Sequence, residues 1–281
     1  MRYLRKHGVS LPIKWSEKRW TCISEQEAFG HFTAFAQTLV NERNSRPMSS
    51  RSFGRLCFGQ GTYFIKTTEI TQLQEQLRMT LGLQRRVGGY GWPVAEVINT
   101  SQAITRGLNT PKLCGFGYKR SRLGLIKEVF IVTDWLNEHV NGLEWLQSKK
   151  TDPKEFFEYC FQAMLEMHQK NIWHLDLWVG NVMLSPLSPN KLTVIDLENC
   201  YIGETGYTSE TLGFQFGFLY YRDINKYLSE EDYDSAVSKA LEGYKGIDKK
   251  RFHIFYSYCK KNHIGRKQRR NIPLNGILPT D

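Results

Sequence analysis

An aspartate, an asparagine and a second aspartate stand in MHQKNIWHLDLWVGNVMLSPLSPNKLTVIDLEN, residues 167–199, at intervals suited to moving a phosphoryl group. His174, Asp176 and Asn181 fit the spacing H-x-D-x-x-x-x-N, and Asp196 follows fifteen residues after Asn181, at the end of a β-branched, apolar run. A γ-phosphoryl group in transfer spreads negative charge over its oxygens, and hard Mg2+ ions with oxygen ligands offset that charge. Asn181 and Asp196 offer such oxygens as metal ligands. Asp176, five residues before Asn181, is the expected base, accepting the proton of the attacking hydroxyl. Histidine is the usual first candidate for proton transfer, yet His174 reads as a residue that holds the loop and stays outside the catalytic set.

The neighbouring elements must bring these groups together. Val182–Leu184 and Leu192–Ile195 read as two short strands joined by SPLSPNK, so one hairpin carries Asn181 just before its first strand and Asp196 just after its second. A helix capped by Asp152, with Pro153 in its first position and Phe157, Phe161, Met164, Leu165 and His168 on its apolar side, delivers the chain to this loop. Upstream, RSFGRLCFGQGTYFIK gives two strands turning at Gly59, Gln60 and Gly61, with Lys66 closing the second. A lysine there is placed to hold the α- and β-phosphates of ATP, provided a carboxylate fixes its ammonium. Glu96 is the candidate, on a helix expected over Trp92–Leu108. Lys112–Gly117 and Glu128–Thr133 read as strands leading into a hinge at Asp134, Trp135 and Leu136, where an adenine ring would dock against backbone groups.

Outside these elements, Ser24 with Glu27 forms a capping-box pattern before Phe29, Phe32, Ala36 and Leu39, which predicts an amphipathic N-terminal helix. Helices are also expected over Thr211–Tyr221, Ser229–Tyr244 and Asp248–Lys261. The sum is an α+β chain with a two-lobed, protein-kinase-like fold. A small antiparallel-sheet N-lobe would occupy residues 1–133, and a hinge with a helical C-lobe residues 134–281.

Composition limits the remaining classes. In 281 residues, 41% apolar and 23% charged, there is material for a sizeable core. No apolar run approaches the roughly 18 residues of a membrane span, and the basic start MRYLRKHGVSLPIKW has no apolar core of a secretory signal, so a cytoplasmic protein is expected. Six cysteines without a C-x-x-C pair argue against a zinc site or a disulfide framework and read as reduced, partly buried thiols. The net charge of +10 gathers near the ends, in Arg2, Arg5, Lys6, Lys14, Lys18 and Arg19 and in Lys260, Lys261, Arg266, Lys267, Arg269 and Arg270. Such runs point to an anionic partner, a membrane surface or a phosphorylated glycolipid, with no specific nucleic acid implied.

YFIK, Glu96, VFIVTDWL, the loop MHQKNIWHLDLWVGNVML and TVIDLEN together resemble the bacterial lipopolysaccharide core kinases, the Kdo kinase and heptose kinase group of the protein-kinase-like superfamily, over roughly residues 50–220. The resemblance implies ATP with Mg2+, and phosphorylation of a heptose or Kdo hydroxyl of the lipopolysaccharide inner core at the cytoplasmic face of the inner membrane. It also implies Asp176 as base, Asn181 and Asp196 as metal ligands, and Lys66 with Glu96 as the phosphate-positioning pair. Two departures stand out: no G-x-G-x-x-G precedes Lys66, and the D-F-G of protein kinases is here Asp196-Leu197-Glu198 with no A-P-E after it, which speaks against a protein substrate. A kinase of a soluble alcohol such as choline or an aminoglycoside, and a pseudokinase-like binding protein without catalysis, are the competing readings.

Overall fold

The computed structural model of the protein describes residues 2–9, 11, 13–17, 19–24, 51–58, 61–85, 88–148 and 152–278. The chain divides into two compact units, Met1–Ile104 with Pro111–Asn137, and Thr105–Thr110 with Glu138–Asp281.

β-branched and aromatic residues build the first unit around a six-stranded antiparallel sheet. Its strands are β1 (Ile13–Glu17), β2 (Trp20–Ser24), β3 (Arg51–Phe58), β4 (Gly61–Glu69), β5 (Leu113–Arg120) and β6 (Ile126–Asp134), in the order β1-β2-β5-β6-β4-β3. Between β4 and β5 lie two helices, α1 (Leu73–Leu81) and α2 (Trp92–Thr105). Alternation along β5 and β6 sends Phe116, Tyr118, Val129 and Ile131 into one core with Val94, Val97 and Ile98 of α2 and Met79 of α1. A short 3-10 turn, Arg2–His7, is tied to α1 by Tyr3, whose Oη donates to the Met79 carbonyl at 2.9 Å. Ser24 ends β2 opposite Gly115. The helix read over Phe29, Phe32, Ala36 and Leu39 lies outside the described residues, as do Gly59 and Gln60 of the expected turn. Lys66 does not close its strand, because β4 continues to Glu69, paired with Glu128 of β6.

The second unit is mainly helical. It opens with β7 (Val140–Asn141), α3 (Gly142–Gln147) and α4 (Pro153–Gln169). Asp152 accepts from the Lys154 amide at 2.9 Å at the start of α4, and Phe156, Phe157, Cys160, Phe161, Met164, Met167 and His168 of that helix are buried. Then come β8 (Ile172–His174), β9 (Val182–Ser185), β10 (Ser188–Val194) and β11 (Cys200–Ile202). They pair as β10-β9-β7 and β11-β8. Four helices complete the unit: α5 (Thr208–Arg222), α6 (Glu230–Leu241), α7 (Lys249–Cys259) and α8 (Arg266–Asn275). Ser229 and Asp248 cap α6 and α7, accepting from the Asp232 amide at 3.1 Å and the Arg251 amide at 3.0 Å.

The C-terminal cations are not simply a solvated surface. Lys260, 6% exposed, reaches Glu230 at 2.7 Å and Asp234 at 2.6 Å and lies over the rings of Tyr220 and Tyr256. Arg269 is 3% exposed. The N-terminal cations Arg5, Lys6, Lys14 and Arg19 do face solvent. None of the six cysteines forms a disulfide; five are buried and Cys57 is exposed.

Helix α5 approaches α7 so closely that only glycine fits at two contact points one helical turn apart. A Cβ on Gly213 would stand 2.4 Å from the Phe252 carbonyl oxygen, and one on Gly217 would stand 2.6 Å from that of Tyr256. Gly217→Ala should therefore force the two helices apart and lower stability by about 1–3 kcal/mol, read as a drop in Tm. Gly206→Ala, where a Cβ would meet nothing within 4 Å, should leave Tm unchanged.

His168 of α4 stacks on Trp173 at 4.5 Å and shares a 2.8 Å hydrogen bond with the Tyr244 hydroxyl. Burial pushes its pKa down to about 3. Between that value and the unfolded value of about 6.5, the unfolded chain binds the proton and the folded chain does not. The stability His168 confers is thus present in full above pH ~6.5 and falls on acidification towards pH ~3. Denaturant titrations at stepped pH should show unfolding free energy declining below pH ~6.5, with a shallower decline in His168→Gln.

Candidate active site

Lys66 lies in the interior of the sheet, on β4 between Phe53 of β3 and Ile131 of β6. Its side chain reaches α2, where Trp92 and Glu96 stand four residues apart on one helical face. Lys66 Nζ is 2.8 Å from Glu96 Oε2 and 5.5 Å from the centre of the Trp92 ring, and the two charged side chains are each 12% exposed. A lysine held this way presents a fixed positive charge instead of a mobile one.

At the end of β6 the backbone is already engaged. The Asp134 amide donates to the Lys112 carbonyl at 3.1 Å and the Trp135 amide to the Thr62 carbonyl at 3.2 Å. The Asp134 carboxylate accepts from the Cys114 thiol at 2.9 Å. Of the positions expected to meet a purine, Asp134 and Trp135 thus have their amides committed.

In the second unit one buried histidine organises the loop. His174, wholly buried, accepts from the Asp176 amide at Nδ1 over 3.3 Å, so its proton sits on Nε2, which faces the Ile195 carbonyl at 3.1 Å. It thereby touches the residue before Asp196 and the backbone of Asp176 at once. Desolvation lowers its pKa, while Asp196, Asp176 and Glu198 all lie near enough to oppose that shift. Gln215 of α5 adds a bond from Nε2 to the His174 carbonyl at 3.2 Å.

Asn181 completes the frame. Its Nδ2 donates to the Asp176 carbonyl at 2.9 Å, and its own carbonyl accepts from the Ile195 amide at 3.0 Å. The side-chain amide nitrogen is thus committed, and Oδ1 is the atom left for a cation. Asn109 braces the hairpin from outside: its Nδ2 donates to the Leu192 carbonyl at 2.9 Å and its carbonyl accepts from the Val194 amide at 2.9 Å. Asp196 adopts the left-handed conformation, φ 60° and ψ 51°, which aspartate tolerates better than most residues.

The expected residues omit two that the fold adds to this loop. Arg269 of α8 donates from Nη1 to Asp176 Oδ1 at 2.5 Å, and Arg266 lies 3.5 Å from Asp176 Oδ2 and 3.0 Å from Glu198 Oε1. In the sequence both stand inside a run of cations, GRKQRR, that looks like an exposed tail. The one local signal is the apolar pair Ile264 and Ile272 on either side of the run, both buried here.

Residues 49–205 match the lipopolysaccharide kinase (Kdo/WaaP) family. Among solved structures, that of WaaP in complex with acyl carrier protein is similar to this chain at a TM-score of 0.54 and 16% identity, covering 84% of this chain and 96% of that one, a likeness of fold. The medium-resolution structure of the bifunctional kinase-methyltransferase WbdD gives a TM-score of 0.42 at 13% identity, covering 74% of this chain and 48% of that one. No curated protein matches the chain. The matched span takes in Lys66, Glu96, the end of β6 and the whole loop from Asp176 to Asp196 within a protein-kinase-like α+β fold, and the chain belongs to the lipopolysaccharide kinase (Kdo/WaaP) family, phosphotransferases that act on a sugar hydroxyl of lipopolysaccharide.

Proposed function

We propose that this lipopolysaccharide core kinase uses Asp176 as its base, Lys66 with Glu96 as its phosphate clamp, and the Leu136 backbone, beside Asp134, as its contact to adenine. The observation that carries the reading is the double tether of the loop: His174 and Asn181 each bond both to Asp176 and to Ile195, so the base and the strand end leading into Asp196 form one rigid frame. Asp176 would accept the proton of the sugar hydroxyl as its oxygen attacks the γ-phosphorus of ATP. Lys66, its ammonium fixed by Glu96, would hold the α- and β-phosphates. Asn181 and Asp196 fit Mg2+, since Asn181 keeps Oδ1 for the ion after committing Nδ2, and Asp196 adds a second hard oxygen donor. When bound, the ion would supply positive charge against the phosphate oxygens.

Phosphate transfer from ATP to a core oligosaccharide, followed by mass spectrometry of the acceptor, tests the assignment. Asp176→Asn should cut the rate by 100-fold or more in protein that remains folded, with a lowered Tm because the buried Arg269 loses its carboxylate, and Lys66→Met should cut it likewise with weaker ATP binding. Full activity in folded Asp176→Asn would reject Asp176 as base.

Since the acceptor is a glycolipid, the enzyme works at a membrane face, and no helix of the described residues is long and apolar enough to cross one. Helix α1 supports peripheral contact. It buries Gln76 and Met79 and turns Leu73, Leu77 and Leu81 outward, 62%, 40% and 64% exposed. The exposed cations Arg5 and Lys6 sit on the 3-10 turn bonded to that helix, which suits an anionic bilayer. Vesicles containing anionic lipid should co-sediment the protein, neutral vesicles should not, and Leu73→Glu with Leu81→Glu should abolish the effect while turnover of a soluble acceptor is unchanged. Absence of binding to anionic vesicles, or self-association that the same variant removes, would overturn this reading.

A further inference from the structure

We infer that Arg269 is a positioning residue for catalysis, fixing the rotamer of Asp176 from a helix that lies beyond the span matched to the family. The inference rests on Asp176 being the base. Three other contacts immobilise the guanidinium. Nε donates to the Ile264 carbonyl at 2.8 Å, Nη1 also reaches the Leu175 carbonyl at 3.4 Å, and the plane lies 4.1 Å from the centre of the Phe218 ring on α5. The side chain of Arg269 is 4% exposed and that of Asp176 11%.

This arrangement treats the two carboxylate oxygens differently. Oδ1 is held at 2.5 Å by an arginine that cannot move without breaking its other bonds. Oδ2 faces Arg266 at 3.5 Å, too long for a good hydrogen bond and from a side chain 58% exposed that also serves Glu198. Arg269 therefore selects Oδ2 as the oxygen that receives the hydroxyl proton. A carboxylate left to rotate would present that oxygen only part of the time, and misplacement on the order of 1 Å can cost about 100-fold in rate.

The test compares Arg269→Met, Arg269→Lys and Arg269→Ala with the parent enzyme, using ATP and a core oligosaccharide. Arg269→Met should lower kcat roughly 10- to 100-fold while KM for ATP and nucleotide-dependent thermal stabilisation stay as in the parent. Arg269→Lys should recover part of the loss, and guanidinium ion at millimolar concentration should partly restore Arg269→Ala. Should the arginine variants not fold, Phe218→Leu loosens the same guanidinium, and a fall in kcat at constant KM for ATP is again expected. Parent-like kcat in folded Arg269→Met, with Asp176→Asn inactive, would overturn the positioning role alone. Parent-like activity in Asp176→Asn would instead strike the base on which it rests. In the double variant Asp176→Asn with Arg269→Met, the rate should equal that of Asp176→Asn, and a further loss as large as the single Arg269 effect would show that Arg269 acts independently of Asp176.

Discussion

A neutral, buried imidazole is the constraint on which the loop from His174 to Asp196 depends. His174 can accept from the Asp176 amide and face the Ile195 carbonyl as a donor only while it carries a single proton. Its surroundings are hostile to that state, since Asp176, Asp196 and Glu198 all favour the cation. Complete burial wins, and the pKa moves down. Gln215 of α5 donates to the His174 carbonyl, which also accepts from the Leu177 amide. Helix α5 is thus joined to the loop through the residue whose single proton sets these bonds.

The same coupling explains the glycines of α5. Gly213 and Gly217 let α7 lie against its backbone, while Gln215 and Phe218 of the same helix reach His174 and Arg269. A helix kept close on one side is held in register on the other. Lys260, at the end of α7, pins that helix to α6 through Glu230 and Asp234.

Legibility in the sequence follows how local each signal is. The loop from His174 to Asp196, the strand holding Lys66 and the start of α4 at Asp152 and Pro153 could be read because spacing, alternation and capping act over a few residues. In helix α1 the leucines at helical spacing, Leu73, Leu77 and Leu81, are visible in the sequence, but only the fold shows that they face outward while Gln76 and Met79 are buried. Strands β1 and β2 are short and carry polar residues, so alternation alone does not mark them. Helix α8 was hidden most thoroughly. A run of arginines and lysines has the same composition whether solvated or buried, and what separates the two is a carboxylate ninety-three positions away, Asp176.

Asp196 occupies backbone space that side chains branched at Cβ avoid, with φ at 60°. In the metal-ligand role proposed for it, its identity is constrained twice over, once by the turn and once by the negative charge. Asparagine meets the first demand and fails the second, glycine likewise, while glutamate meets the second and strains against the first. Drift by stepwise replacement has no intermediate that keeps both, so this position should be among the slowest in the chain to change among functional descendants, and its exchange for asparagine should mark lineages that have kept the fold after the reaction is lost.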